Sequence, residues 1–418
     1  MTSRRALLRA VGAAAIAAAC ERAVAPSPTP TLLPARSPTP SRTATATPTQ
    51  AAPRPIVIRA AALADGAGAQ TVPKVVVVLR GDRIEYAGPR DGAPAARDAE
   101  LVDLPALTVV PAMVDCHAHL TGSGGSNAHA SLQDPDDVLL ARAAANARLL
   151  VKAGVLAVRD VGAVRAMNVR ARDALRVARD VPIIQAAGTW IGRRDRYVAF
   201  AVQVDSAEEL RAAAMAQLDA GADLVKIAAD GTTGSAATFS VDELKPVVDA
   251  VHARGKKVAV HCQGLGSRVA ALAGADTVEH GFVIDATTAA AMRESGTALV
   301  TSLSVAQAFG QLEIALPSVR AARDAGVPIA TGTDAGGAPP VFGDFAREVE
   351  LLVRAGLAPH EALAAATRAG GEVMGIAGLG TLGSGAAADL ILVEGDPLSD
   401  PAALRRVRAV FRSGQRLF

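Results

Sequence analysis

Aromatic side chains are scarce: they make up 3% of the 418 residues, with one tryptophan and two tyrosines. A core of packed rings is therefore excluded, and the interior must be built from Ala, Val, Leu and Ile. That composition suits helices layered on parallel strands, whose buried strands read as aliphatic runs. There are three cysteines, too few for a disulfide framework. Neither sign of charge dominates, since the formal net charge is +2. The body of the chain has no concentrated basic run, which excludes nucleic acid as a partner on electrostatic grounds. What remains is half hydrophobic and one-fifth charged, the balance of a globular, soluble chain.

Residues 1–20 open with Arg4, Arg5 and Arg9, followed by an apolar stretch from Ala10 to Cys20 that is too short to span a bilayer. This reads as a signal peptide. Ser3-Arg4-Arg5-Ala6-Leu7-Leu8 resembles a twin-arginine export signal. Ala17-Ala18-Ala19-Cys20 resembles a lipobox, with Ala17 where leucine is usual. The expectation is an exported protein tethered to a membrane through an acylated Cys20; cleavage without a lipid is the alternative. Residues 21–55 hold nine of the 24 prolines and few large apolar side chains. Such a segment cannot bury a core and is expected to be a disordered linker.

From residue 56 to 110 the chain reads as short β-branched strands split by Gly, Asp and Pro, and residues 379–418 repeat that character. Together these segments are expected to form a small β-sandwich. Between them, over residues 111–378, strand-like runs alternate with helical stretches, the pattern of parallel βα units. Eight runs stand out: VVPAMVDCHAHL, VLAVRDVG, VPIIQAAGTW, LVKIAAD, KVAVHCQG, TVEHGFV, ALVTSL and PIATGTDAGG. Eight strands over this length predict an α/β fold, a (β/α)8 TIM-like barrel. An open doubly wound sheet is the alternative, but no GxGxxG turn follows the first strand.

The sequence has seven histidines, and four of them sit at predicted strand ends. His117 and His119 are two apart in one strand, so period-2 alternation sends both to the same face. His261 and His280 end two later strands. Imidazoles converging at the C-terminal mouth of a barrel could bind zinc; the competing reading of His-x-His is two hydrogen-bonded buried histidines. Lys226 lies inside the strand LVKIAAD, where an ammonium is costly to desolvate. It reads either as half of a buried Lys–Asp pair or as a lysine carboxylated by CO2. Asp334 closes the last strand. His129, His252 and His360 fall in loops or helices and read as surface or capping residues. Trp190, Arg194 and Tyr197, after the third strand, read as surface loop residues, with contact to substrate as the alternative.

Taken in order, these stretches resemble the amidohydrolase superfamily, in its imidazolonepropionase-like and Xaa-Pro-dipeptidase-like branch. AADLILVEGDPLSD resembles the branch's return to its small sandwich. The resemblance implies two divalent metal ions, taken as zinc. His117, His119 and Asp334 would hold the more buried ion, and His261 and His280 the second. A carboxylated Lys226 and a hydroxide would bridge them, with Asp334 as the proton carrier. The expected reaction is cleavage of an amide in a dipeptide or N-acyl amino acid with a free carboxylate. Two departures bear on substrate: Gln263 stands where many relatives have histidine, and AADGTTGSAATFS replaces the usual Ser-Gly-Gly run. A one-metal imidazolonepropionase or deaminase is the second enzyme reading. Gln263 stands where a deaminase-like relative has Glu, and Glu279 is expected to point away from His280. A surface ligand-binding lipoprotein is the reading from a different class; its expected mark, a lost ligand, is missing.

Overall fold

A computed structural model of the chain describes residues 54–418 except 232–234, and leaves out the side chain of Asn127. The expected leader, and the expected linker up to residue 53, lie outside the described residues. The strands, in chain order, are β1 (Ile56–Leu63), β2 (Val72–Arg80), β3 (Arg83–Pro89), β4 (Glu100–Pro111), β5 (Met113–Ala118), β6 (Val155–Asp160), β7 (Ile183–Ala186), β8 (Ile191–Arg193), β9 (Val202–Val204), β10 (Leu224–Ala228), β11 (Lys257–Cys262), β12 (Thr277–His280), β13 (Ala298–Thr301), β14 (Ile329–Thr331), β15 (Leu390–Glu394), β16 (Val407–Arg412) and β17 (Gln415–Arg416).

The eight aliphatic runs form the staves of a TIM barrel: β5, β6, β7, β10, β11, β12, β13 and β14, all parallel to their neighbours. The third stave is split. Its first part, β7, pairs with β6, and its second part, β8, pairs with β10. Gly188, in a left-handed conformation, breaks it. The ring closes through backbone hydrogen bonds. Asp223 N–H donates to the Ala186 carbonyl at 2.8 Å, Asp334 N–H to the His117 carbonyl at 2.7 Å, and His119 N–H to the Ala335 carbonyl at 2.9 Å.

Helices cover the outside of the staves, and their sequences explain why. In the helix Val241–His252, Ser240 and Glu243 form a reciprocal capping box, and Leu244, Val247, Val248 and Val251 make one buried stripe.

The remaining strands form one sheet in the order β17-β16-β15-β4-β1-β2-β3, so both ends of the described chain share it. Side-chain alternation divides its strands between two cores. Leu390, Leu392 and Phe411 pack with Ile58, Val75 and Val77, while Ile391, Val393 and Val410 join the core of the barrel.

Candidate functional site

The six residues singled out from the sequence meet at the C-terminal ends of the staves. His117 (β5) and His119 (just after it) face Asp334, which follows β14, with Nε2–Oδ1 distances of 3.6 and 3.1 Å. His117 and His280 have ring centroids 4.7 Å apart, and His261 and His280 are 4.6 Å apart. Lys226 Nζ, from the middle of β10, lies 3.4 Å from His117 Nε2. Ligand atoms of His117, His280 and Asp334 all fall within 4.8 Å of one another. Glycines make room for this crowding: a Cβ on Gly332 would meet His117 Cβ at 2.4 Å, and one on Gly337 would meet His119 Cδ2 at 2.2 Å.

The imidazoles are oriented from behind. His117 Nδ1 bonds the Glu279 carboxylate at 2.8 Å, His119 Nδ1 the Gly162 carbonyl at 2.7 Å, and His280 Nδ1 the Ser302 hydroxyl at 2.5 Å. A carboxylate or carbonyl partner requires the proton on Nδ1, which leaves the Nε2 lone pairs of His117 and His119 facing the centre. His280 Nε2 approaches His261 Nδ1 at 2.9 Å, and His261 Nε2 is buried without a hydrogen-bond partner. Burial, reinforced by the neighbouring Lys226 and histidines, holds His117, His261 and His280 well below the usual imidazole range. Burial also lowers His119, but the hydrogen bond and charge of Asp334 outweigh it and raise the group overall. Burial pushes the Lys226 ammonium down to about 8, against the pull of Glu279 and Asp334. Three imidazoles kept neutral by burial, a fourth paired with a carboxylate, and an orphaned ring nitrogen form a donor set that fits a divalent metal.

Several expectations need correction. Glu279 does not point away from the site. It lies inside the barrel, where it also binds Arg159 at 2.6 Å, and Arg159 donates to the Cys116 carbonyl at 2.7 Å. Strict alternation would place His280 on the opposite face from Glu279. His280 instead adopts φ 71°, a left-handed conformation that turns its side chain back to the centre. Asp334 has φ 54° and is bent in the same way. Trp190 and Tyr197 are not surface residues: Trp190 stacks 5.2 Å from His119, and the Tyr197 hydroxyl is 3.5 Å from His261 Nδ1. Arg194 is on the surface, paired with Asp205. His129 is exposed yet lines the mouth, 5.7 Å from the Phe200 ring. His252 pairs with Asp276 away from the site. Sequence reasoning missed Arg159 and Glu279 as supports. The signal was present, because each interrupts an aliphatic stave with a charge, as Lys226 does. It also missed Asp115, whose carboxylate accepts from Thr333 N–H and hydroxyl and ties β5 to the loop carrying Asp334.

Comparison with known proteins places this geometry in context. The profile of the amidohydrolase family matches residues 108–417. An uncharacterised protein of Mycobacterium tuberculosis is 32% identical over 331 residues, covering 73% of this chain and 84% of the relative. An imidazolonepropionase of Rhizobium meliloti is 31% identical over 366 residues, 76% of this chain and 84% of that protein. Among solved structures, a Xaa-Pro dipeptidase with methionine bound in its active site superposes with a TM-score of 0.77 at 29% identity, covering 87% of this chain and 99% of that one.

Proposed function

The chain belongs to the amidohydrolase family and is a hydrolase acting on carbon–nitrogen bonds, and from that premise we propose that it cleaves an amide of the dipeptide or N-acyl amino-acid type at a two-metal centre. The observation that carries this reading is that ligand atoms of His117, His280 and Asp334 lie within 4.8 Å of one another, with His119 against Asp334, His261 against His280, and His261 Nε2 buried and unpartnered. His117, His119 and Asp334 would hold one ion, and His261 and His280 the other. Lys226 would serve both once carboxylated. Its burial favours the neutral amine that CO2 requires: the N–C bond forms and a proton leaves. A nitrogen-rich donor set favours zinc.

When bound, the ions lower the pKa of a water molecule and polarise the scissile carbonyl. Asp334 would take the proton of the attacking water and deliver it to the departing nitrogen. Glu279, Gly162 and Ser302 fix the rings, and the buried staves keep bulk water from beneath them. The likeness to an imidazolonepropionase supports a second reading, hydrolysis of a cyclic amide at one metal or deamination, but Lys226 beside His117 favours two ions.

The test joins metal analysis to activity. The purified protein should hold about two ions per chain and hydrolyse amides. Lys226→Ala should lose more than the 10–100-fold typical of an outer-shell partner, and short carboxylic acids should restore part of the loss. One ion or none would overturn the two-metal reading. The Arg4-Arg5 leader and Cys20 support export and lipid anchoring, which radiolabelled palmitate would test: the label should enter the full chain and be lost in Cys20→Ser.

A further inference from the structure

Staves β10 and β11 carry Lys226 and His261, and the backbone pairing between them ends just beyond, where Ala229 N–H donates to the His261 carbonyl at 3.1 Å. Past this rung no sheet holds the two chains together. A single carboxylate takes over. Asp230 is fully buried and accepts from three N–H groups of the loop after β11: Oδ1 takes Gln263 at 2.8 Å, and Oδ2 takes Gly264 and Gly266 at 2.9 Å each. A Cβ on Gly266 would stand 2.7 Å from Oδ2, so the close approach requires glycine there.

The arrangement is costly. Among the described residues no cation pairs with Asp230, and burial pushes its carboxyl up to about 6 in spite of the three donors. Asparagine would have the same size, but it has one acceptor oxygen, and its NH2 would face an N–H group. A carboxylate satisfies all three donors with charge-assisted bonds. What these bonds fix is the backbone of Gln263. Its side chain lines the cavity in front of the imidazoles, which holds about 290 Å³ and has Trp190 and Phe200 in its wall, near the lower end for small-molecule sites. Among the described residues the Gln263 side-chain amide has no hydrogen-bond partner, so its donors and its acceptor are open to a bound molecule.

Resting on the amide-hydrolysis reading, we infer that Asp230 is a positioning residue for substrate binding: it clamps the loop after β11 so that the Gln263 amide stands ready to hydrogen-bond the substrate. A dipeptide or N-acyl amino acid offers that amide a carbonyl and a carboxylate. With the N–H groups of Gln263, Gly264 and Gly266 released, the loop would spread the amide over many positions, and binding would have to order it again.

A double-mutant cycle tests the clamp. Metal-loaded full-length protein is titrated by calorimetry with N-methylsulfonyl-L-leucine, a non-hydrolysable likeness of N-acetyl-L-leucine, and kinetics are measured on the N-acetyl compound. Asp230→Asn and Gln263→Ala should each weaken binding roughly 5-fold, the worth of about one hydrogen bond, with the loss in KM rather than kcat. The double variant should also be about 5-fold weaker, because both changes remove one interaction; independent effects would multiply to roughly 25-fold. Metal content should match the parent in all three. If Asp230→Asn does not fold, Asp230→Ser, whose hydroxyl still accepts from one N–H group, takes its place with the same expectation. Multiplied losses, or unchanged binding in the Asp230 variant, overturn the inference. Loss of an ion from that variant overturns it too, by showing that Asp230 serves His261 instead. Coupled losses on the sulfonamide without hydrolysis of the amide support the clamp and count against the amide-hydrolysis reading. A parent protein that binds no sulfonamide overturns the inference, and turnover of the N-acetyl compound then decides whether the amide-hydrolysis reading falls with it.

Discussion

His117 is held from below by a buried chain of charges. Glu279 accepts from its Nδ1, and the same carboxylate pairs with Arg159, all within the barrel. Glu279→Gln keeps the size but removes the charge that fixes the imidazole's tautomer. Metal affinity, measured by competition with a chelator, should fall 10–100-fold. The change also strands the Arg159 guanidinium, so stability should drop by about 3–5 kcal/mol. Arg159→Met added to Glu279→Gln should recover much of the stability and little of the metal affinity, which separates the two effects. At this scale the sequence revealed the residues better than their postures. His117, His119 and His261 followed from strand period. His280 and Asp334 were legible by type, but their left-handed backbones were not, because alternation says nothing of a strand's last residue. Trp190 and Tyr197 come from an irregular segment with no period to read, so nothing in their spacing marked them as wall rather than surface.

Glu348 belongs to the scale of elements, because it joins the helix Ala346–Ala355 to the start of the helix Leu303–Ala308. Its buried carboxylate accepts from the Leu303 and Ser304 N–H groups at 3.1 and 2.7 Å and from the Ser304 hydroxyl at 2.6 Å. These backbone donors have no partner inside their own helix, and an anion at that terminus also suits the helix dipole. Burial nevertheless pushes the carboxyl up to about 7 from its ordinary 4.5. The folded state therefore binds the proton more tightly than the unfolded chain. The stability this confers is present below about pH 4.5 and is lost as pH rises through about 7. Asp115 and Asp230, both raised by burial to about 6, act in the same direction. Glu348→Gln should show a shallower decline of Tm between about pH 5 and about pH 7 than the parent. Its amide sets a donor against a backbone donor, so it should also be less stable at about pH 5 by about 1–3 kcal/mol. An unchanged slope would mean that Glu348 does not titrate in this range. The eight staves themselves were legible because each is an aliphatic run between breakers. The split of the third stave into β7 and β8 was not, since Gly188 sits inside a run that reads as continuous.

The whole molecule is closed by a sheet that no local segment could complete. β15 from the C-terminal part pairs with β4, whose other neighbour is β1, so the barrel is bracketed by strands from both ends of the described chain. Ile391, Val393 and Val410 from this late segment are fully buried in the barrel's core, and Leu390, Leu392 and Phe411 fill the other face. Each such side chain contributes about 1.5–3 kcal/mol of burial, so the six together match or exceed the 5–15 kcal/mol by which a typical domain is stable. Residues 54–418 belong to one compact unit. Removal of residues 1–53 should therefore leave a soluble protein with the Tm and metal content of the full chain. Removal of residues 389–418 should leave β4 an open edge and strip the barrel's base, giving a product that does not melt cooperatively and is lost to aggregation. Calorimetry on the two truncations distinguishes these outcomes. A cooperative transition in the C-terminal truncation would show that the barrel folds without the sheet that both ends build.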